Sequence, residues 1–263
     1  MLRALYTAST GSQSQQFNID VIANNIANVN TSGYKKSRAE FKDLLSQTYS
    51  TPGAIGDQGT TDPIGVQVGL GVEVAATQRI FLPGSIQQTA NPLDIAIQGD
   101  GFLQVQTDDG TIAFTRDGNL KRDVNGTLVT SEGYPLQPNI TIPINASEIV
   151  IGLNGAVSIR QPGNTVLSQI GQIQLARFAN PAGLESAGKN LFRNTAASGD
   201  PLPGTAGQGD FGNTRITQGF TEGSNVQIVE ELINLITAQR AFEANSKVIQ
   251  AADQMLQTTN NTV

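Results

Sequence analysis

Residues 224–263 carry the sequence feature that most limits how this chain can fold. Apolar side chains recur there at every seventh position, at Ile228, Leu235, Phe242, Ile249 and Leu256. A seven-residue apolar repeat is typical of a helix that packs lengthwise along another helix. No glycine or proline follows Gly223, so the pattern predicts one helix about 45–50 Å long. Such a helix is too long for one small domain to cover, and it therefore requires a long partner.

Two further features define this C-terminal helix. Ser224 and Gln227 have the spacing of a capping box, which predicts that the helix begins directly after Ser224. Additional apolar residues flank the line of sevens. The predicted C-terminal seam, through which the chain would self-assemble, consists of Ile228, Leu232, Leu235, Phe242, Val248, Ile249, Met255 and Leu256.

The partner is predicted at the other end of the chain, in residues 2–29. Its apolar seam is Leu5, Ile19, Ile22, Ile26 and Val29, and Gly33 is a candidate C-terminal cap. We expect the two helices to pair as a coiled coil, although two ordinary surface helices on a globular core would also fit the pattern. Among the first thirty residues only Arg3 and Asp20 are charged. A polar but uncharged face suits burial between copies of the chain, because charged residues are depleted in interface cores.

Composition excludes several function classes. The net charge of −6 argues against a nucleic-acid or anionic-membrane partner. The chain has no cysteine and no histidine, which removes thiolate nucleophiles and the commonest general base and transition-metal ligand. We therefore expect no cofactor and no metal site. No run of residues is long enough to span a bilayer, and the first residues lack the pattern of a cleaved signal peptide.

The segments between the helices predict a nested architecture of class α+β. Residues 79–193 hold short candidate strands and the hairpin signal Asn125-Gly126, which predicts an antiparallel β barrel or sandwich. Extended connecting segments, residues 34–78 and 194–223, flank it, while residues 1–33 and 224–263 form the helical domain. The glycine- and proline-rich stretch 46–71 is too long for an ordinary loop. We expect it to pack against other subunits, at Pro52, Gly53 and Pro63.

Short charged clusters have ordinary structural interpretations. Tyr34, Lys35, Lys36 and Arg38 follow the predicted first helix, and a basic cluster this short predicts a solvated turn. The Asp-Gly pairs predict hairpin turns rather than calcium ligands, since they lack the spacing of a calcium-binding loop. No activated nucleophile or phosphate-binding loop is present. A peptidoglycan-acting enzyme or binding module stays as the alternative to a structural role, because carboxylate pairs can hydrolyse glycans.

Three separated segments resemble the flagellar rod and hook proteins of bacteria. Residues 23–35 read Ala-Asn-Asn-Ile-Ala-Asn-Val-Asn-Thr-Ser-Gly-Tyr-Lys, and residues 239–247 read Gln-Arg-Ala-Phe-Glu-Ala-Asn-Ser-Lys. The third segment combines Gly101-Phe102, Thr115-Arg116-Asp117-Gly118 and residues 126–130. Within this family, the length and the 46–71 stretch are most similar to distal rod members, with a proximal rod or hook protein as the alternative.

The resemblance implies a structural subunit that polymerises into a rigid helical tube, the drive shaft of the flagellar basal body. It implies export through the flagellum-specific type III apparatus without a cleaved signal peptide, and a position in the periplasm. It also implies neighbouring rod and hook-type axial proteins as partners, with ring proteins around the rod. The terminal helices would form the inner tube and residues 79–193 would face outward.

Overall fold

The described chain begins and ends with a long α-helix, and short β-strands joined by turns and loops lie between the two helices in the sequence. The computed structural model describes residues 2–51, 64–163 and 166–261. Helix α1 spans Leu2–Ala27 and helix α2 spans Ile228–Asn261. The α+β class is therefore confirmed. No helix in the described part of the chain is long and apolar enough to cross a membrane.

The described residues between the helices form twenty strands, and every strand pairing for which a register is defined is antiparallel. In chain order they are β1 Ser37–Asp43, β2 Ser46–Ser50, β3 Val66–Gly69, β4 Val72–Arg79, β5 Ile86–Gln88, β6 Ile95–Gln98, β7 Phe102–Gln106, β8 Ile112–Thr115, β9 Lys121–Arg122, β10 Leu128–Val129, β11 Leu136–Gln137, β12 Glu148–Ile151, β13 Ala156–Arg160, β14 Ser168–Gln172, β15 Leu175–Arg177, β16 Glu185–Gly188, β17 Leu191–Arg193, β18 Leu202–Gly204, β19 Arg215–Gln218 and β20 Phe220–Glu222.

The chain divides into two compact units. Unit 1 comprises Met1–Ile26, Ser37–Gln78 and Gln227–Val263, and unit 2 comprises Ala27–Lys36 and Arg79–Val226. In unit 1 the two helices accompany two small sheets, β1 with β4 and β2 with β3. The three-part division expected from the sequence stays a prediction.

Unit 2 is built on a seven-stranded sheet in the order β16-β17-β8-β7-β15-β18, with β11 also on β7. The main apolar core includes Leu103 and Val105 of β7, both fully buried, because inward positions alternate along a strand. A second cluster contains the rings of Phe102, Phe114 and Phe178, which meet edge to face. Edge-to-face contact is the favoured aromatic geometry.

The predicted barrel is not confirmed. Among the described strands no sheet closes, and the seven-stranded sheet ends at β16 and β18. These edge strands have four and three residues, and β18 contains Pro203, which has no N–H to donate to a further strand.

Several boundaries also differ from the sequence-based expectation. Helix α2 begins at Ile228, and the hydroxyl of Ser224 accepts a hydrogen bond from Val226 N (3.2 Å), so the predicted capping box is wrong. Helix α1 ends at Ala27, and Gly33, which has a φ of 68°, lies beyond it rather than capping it. Residues 194–223 contain three strands where extended chain was expected. The predicted contact residues Pro52, Gly53 and Pro63 lie outside the described residues.

Candidate functional site

The two helices of unit 1 run antiparallel. Gly11 of α1 faces Asn245 of α2, and a Cβ placed on Gly11 would stand 2.9 Å from Asn245 Nδ2. Near the other end of α1, Asn25 Nδ2 donates a hydrogen bond to Glu231 Oε2 (3.3 Å). Residue numbers therefore fall along α2 as they rise along α1. The missing side chain of Gly11 permits the close approach, and it offsets the low helix propensity of glycine.

The face of α2 that contacts α1 is lined mainly by small or polar residues. Glu231, Ala238 and Ala252 are buried, while Leu235 and Ile249 are half-buried. Their spacing of three and four residues places them on one side of the helix. Each buried alanine removes only a small apolar side chain from water, and the half-buried Leu235 and Ile249 supply the larger apolar side chains of this face.

Asn25 joins three elements of unit 1. Its amide nitrogen donates to Ser37 O (2.8 Å), and its amide oxygen accepts from Ser37 N (2.9 Å) at the start of β1. The same nitrogen reaches Glu231 in the first turn of α2. The buried side chain therefore fixes the end of α1 against both β1 and α2, because a buried amide is costly unless its hydrogen bonds are satisfied.

A second face of α2 is apolar and exposed in the part of the chain that the structure describes. Val229, Leu232, Ile233 and Ile236 are 71%, 44%, 59% and 50% exposed. Their i, i+3, i+4, i+7 spacing places them on one stripe, which we call the outer stripe. Of these four residues only Leu232 belonged to the predicted seam. The helical spacing around Leu232 is the signal that could have identified the other three.

The structure separates the predicted seam into two groups. The buried or half-buried members are Leu5, Ile19, Ile22, Ile26, Val29, Leu235, Ile249 and Leu256. The exposed members are Ile228, Leu232, Phe242, Val248 and Met255. Val29 lies beyond the end of α1. The assembly role of all of them stays a prediction.

The β2–β3 hairpin of unit 1 also exposes apolar surface. Tyr49, Val66 and Val68 are all exposed, and the guanidinium of Arg3 lies 5.3 Å from the centroid of the Tyr49 ring. A two-stranded hairpin is only marginally stable by itself in water. Tyr49 and Val66 each lie three positions in the sequence from the nearest residue of the 46–71 stretch that the structure does not describe.

Unit 2 contains a buried charge cluster of Lys35, Arg116 and Glu222. Lys35 Nζ donates to Glu222 Oε1 and to Leu82 O, and Arg116 Nη1 donates to Glu222 Oε2 (3.2 Å). All three side chains are at most 2% exposed. The prediction of a solvated basic turn is therefore wrong for Lys35. Its neighbour Lys36 is half-buried, and its backbone N–H donates to Asn225 Oδ1 (2.7 Å).

Burial controls the electrostatics of this cluster. It lowers the pKa of Lys35 below its usual range; the positive charge of Arg116 adds to this effect, and the carboxylate of Glu222 opposes it. Burial also lowers the pKa of Arg116, again opposed by Glu222. Two cations share one carboxylate, so the cluster holds a net buried charge of +1. Sequence reasoning missed this cluster because the three residues are distant in the chain.

Asp117 follows Arg116 and is half-buried. Burial raises the pKa of its carboxyl group, although hydrogen bonds from Asn119 N (3.1 Å) and Asn119 Nδ2 (2.9 Å) oppose the shift. Among the described residues no group of three or more acidic side chains could hold a metal ion. The features of the described residues that bear on function are thus the exposed apolar surfaces of unit 1 and the buried ion pairs of unit 2.

Comparison with known protein families gives three matches spread along the chain. The family described as "Flagella basal body rod protein" matches residues 5–35. The family described as "Flagellar hook protein FlgE/F/G D1 domain" matches residues 96–159, and "Flagellar basal body rod FlgEFG protein C-terminal" matches residues 217–262. The first match contains most of α1, the third contains all of α2, and the second lies within unit 2.

Individual relatives match over nearly the whole chain. The flagellar basal-body rod protein FlgG of Borreliella burgdorferi is 49% identical over 263 residues, covering 99% of this chain and 98% of its own. FlgG of Caulobacter vibrioides is 48% identical, covering 98% of each chain. FlgG of Bacillus subtilis is 44% identical, covering 98% of this chain and 97% of its own. The flagellar hook protein FlgE of Helicobacter mustelae aligns over only 52% of this chain and 30% of its own.

Proposed function

This chain belongs to the flagellar basal-body rod protein family and is a structural subunit of the distal rod, and we propose that it assembles through the outer stripe of α2. Antiparallel pairing with α1 leaves Val229, Leu232, Ile233 and Ile236 exposed. An apolar stripe of this kind is a common site of protein association. The occupant we assign is a second copy of the chain, because the relatives are rod proteins.

The polymer we propose is a rigid helical tube that transmits torque to the hook. Heterologous contacts that do not close into a ring generate a helical filament. The terminal helices would pair as a coiled coil and line the tube, through which later axial proteins would be exported. Residues 79–193 would face outward. The 46–71 stretch, with Pro52, Gly53 and Pro63, would pack against neighbouring subunits and stiffen the rod.

The partners and location follow from the same proposal. Neighbouring rod and hook-type proteins would contact the two ends of the polymer, and ring proteins would surround its outer face in the periplasm. The type III export apparatus would deliver the chain without a cleaved signal peptide. The role is structural rather than catalytic. The exposed apolar stripe is suited to association with another protein surface. Catalysis would instead require reactive groups that are positioned around a substrate.

A double variant tests the outer stripe directly. Val229→Gln/Ile233→Gln should leave the monomer folded, because both side chains are exposed and surface substitutions change stability by about 0.5 kcal/mol or less. Burying such a side chain contributes about 1.5–3 kcal/mol, so the critical concentration for polymerisation should rise at least about tenfold. Glu243→Gln, on an exposed position of the same helix, is the matched control and should polymerise normally. Unchanged polymerisation of the double variant would exclude the outer stripe as a contact.

Limited proteolysis separates assembly-coupled ordering from a rigid monomer. In the purified monomer, the ends of both helices should be cut readily because their shared contact is built on small side chains. The same sites should be protected in the polymer, as mass spectrometry of the fragments can show. Equal protection in both states would mean that the helices are already stable without a neighbour, and would favour a globular function.

A further inference from the structure

A small pocket in unit 2 combines positive charge with aromatic walls. It has a volume of about 230 Å³ and is lined by the guanidinium-bearing side chains of Arg116 and Arg177, by Asp100, and by Phe81, Phe102 and Phe178. It opens beside the turn between β6 and β7 and the end of β15. The proposed assembly does not use this pocket.

Arg116 supplies a buried positive charge beside the pocket. Its side chain is 2% exposed, and its two terminal nitrogens donate to Glu222 Oε2, Ile97 O and Gly99 O. Its Nε–H is buried and has no acceptor in the part of the chain that the structure describes. Lys35 and Arg116 share the buried carboxylate of Glu222, and the exposed carboxylate of Asp100 is the other negative charge that acts on Arg116, so cations outnumber carboxylates around the pocket. An unmet donor and an excess buried cation both favour a bound anion.

Arg177 supplies a second, more accessible guanidinium. Its Nη1 donates to Asp210 O (3.2 Å), and its Nη2 lies 3.8 Å from Asp100 Oδ2. This ion pair is long, and the Asp100 side chain is 72% exposed. Asp100 therefore competes only weakly for Arg177, because exposed ion pairs contribute little. Arg177 remains able to bind another carboxylate.

The walls of the pocket determine which anion fits. Phe102 and Phe178 pack edge to face with ring centroids 5.8 Å apart, and Phe81 packs against Phe102 at 5.3 Å. Planar guanidinium groups match the two oxygens of a carboxylate, whereas aromatic walls favour an apolar body. We propose that this pocket binds a carboxylate that is attached to an apolar group.

Two sources could supply this carboxylate, a free small molecule or an acidic side chain of a neighbouring copy. Binding to the monomer can be measured without any assumption about assembly. Benzoate is the probe, and benzamide, which has the same shape but no charge, is the matched ligand control. The full-length monomer is titrated with each while the backbone amide NMR signals of Gly101 and Ala179, which line the pocket, are followed.

Benzoate should move these two signals in a saturable manner, and benzamide should bind at least about tenfold more weakly because charge-assisted hydrogen bonds are lost. Arg177→Gln should weaken benzoate binding at least about tenfold, and Arg177→Lys should restore part of it. Asp100→Asn should tighten binding about two- to fivefold because it removes the competing carboxylate. Equal binding of benzoate and benzamide, no saturable shift, or unchanged affinity in Arg177→Gln would each overturn the site.

Polymerisation in the presence of benzoate distinguishes the two sources. If a neighbouring copy supplies the carboxylate, saturating benzoate and Arg177→Gln should both raise the critical concentration for polymerisation. If a free small molecule is the natural ligand, polymerisation should not change although benzoate binds the monomer. Val229→Gln/Ile233→Gln separates this proposal from the proposed function, because the variant should have a raised critical concentration for polymerisation and should still bind benzoate.

Discussion

Substitution of Glu222 by glutamine should destabilise unit 2 strongly although it preserves the shape of the side chain. Glu222 is 1% exposed, and its two oxygens receive hydrogen bonds from Lys35 Nζ, Gly84 N (2.9 Å) and Arg116 Nη1 (3.2 Å). Glutamine supplies only one acceptor oxygen. Its NH₂ group would face at least one of these donors. Lys35 would lose its carboxylate partner, and Arg116 would keep only the electrostatic attraction of the exposed Asp100.

The expected loss of unfolding free energy follows from the number of buried cations that Glu222 neutralises. Removing one partner of a buried ion pair costs about 3–5 kcal/mol, mainly because the remaining charge stays buried and uncompensated. Here one carboxylate serves two cations, so we expect Glu222→Gln to cost about 5 kcal/mol. Domains of ordinary size have unfolding free energies of about 5–15 kcal/mol, so this loss would be a large share of the total.

Lys35→Met is the informative second substitution because its effect should reverse sign. In the otherwise unchanged chain it should cost about 1–3 kcal/mol, since Glu222 keeps Arg116 and Gly84 but loses one donor. In the Glu222→Gln background it removes an uncompensated buried cation, and it should then raise the unfolding free energy. The two single variants and the double variant form a double-mutant cycle that isolates the coupling between Lys35 and Glu222.

Urea unfolding of the full-length chain, followed by circular dichroism, gives the free energies. Hydrogen exchange of peptides that contain β5 and β20 assigns the loss to unit 2, since these strands pair directly beside Glu222. A cost below about 1 kcal/mol for Glu222→Gln, or the same cost for Lys35→Met in both backgrounds, would refute the assignment of Glu222 as the shared counter-charge.

Three other predictions follow from single positions. Burial lowers the pKa of Lys35 below its usual 10.5, so there is a pH window below 10.5 in which unfolded Lys35 keeps a proton that folded Lys35 has released. In that window the free energy of unfolding rises with pH, because the unfolded chain binds more protons. Lys35→Met should abolish this rise, as urea unfolding at a series of pH values can show. Burial raises the pKa of Asp117 above its usual 3.8, so the free energy of unfolding falls as the pH rises from 3.8 through the pKa of the folded state. Asp117→Asn should therefore stabilise the chain at neutral pH. Thermal unfolding should show that this gain shrinks as the pH falls toward 3.8. Gly118→Ala should cost more than about 3 kcal/mol because its Cβ would stand 1.7 Å from Ile95 O, while Gly133→Ala, at a φ of 90° with open space around it, should cost only about 1–2 kcal/mol; equal losses in chemical denaturation would contradict the steric explanation.

Local patterns were sufficient to predict the helices and many of the strands. The seven-residue repeat and the absence of glycine or proline identified α2 as one long helix, and the Asn125-Gly126 turn correctly placed the β9–β10 hairpin. Where apolar periodicity is short, prediction failed. Strands β18, β19 and β20 lie among prolines and glycines, and their pairing depends on distant strands such as β5 and β6.

The buried charge cluster could not have been predicted from local pattern, because burial is decided by the folded neighbours of a residue. Lys35 is one of several basic residues in a short segment, yet it alone of these is fully buried and paired with a carboxylate 187 positions away. The neighbouring basic residue Arg38 is exposed. A spacing rule treats the two alike, and only the tertiary contacts distinguish them.

The composition of the helix contact connects the fold of unit 1 to its association. Ala238 and Ala252 occupy the buried side of α2, where each contributes only a small apolar side chain at about 25 cal/mol per Å², and the larger Leu235 and Ile249 on that side are only half-buried. The larger side chains of Val229, Ile233 and Ile236 stay outside that contact. If these larger side chains faced α1 and the alanines faced outward, the helix pair would be more stable in the monomer. It would then gain less stability from contact with a neighbouring subunit. The observed arrangement therefore favours a subunit whose helices gain most of their stability on assembly. It predicts that Ala238→Leu, even if the helix pair accommodates the larger side chain, would not restore polymerisation to a chain whose outer stripe has been made polar.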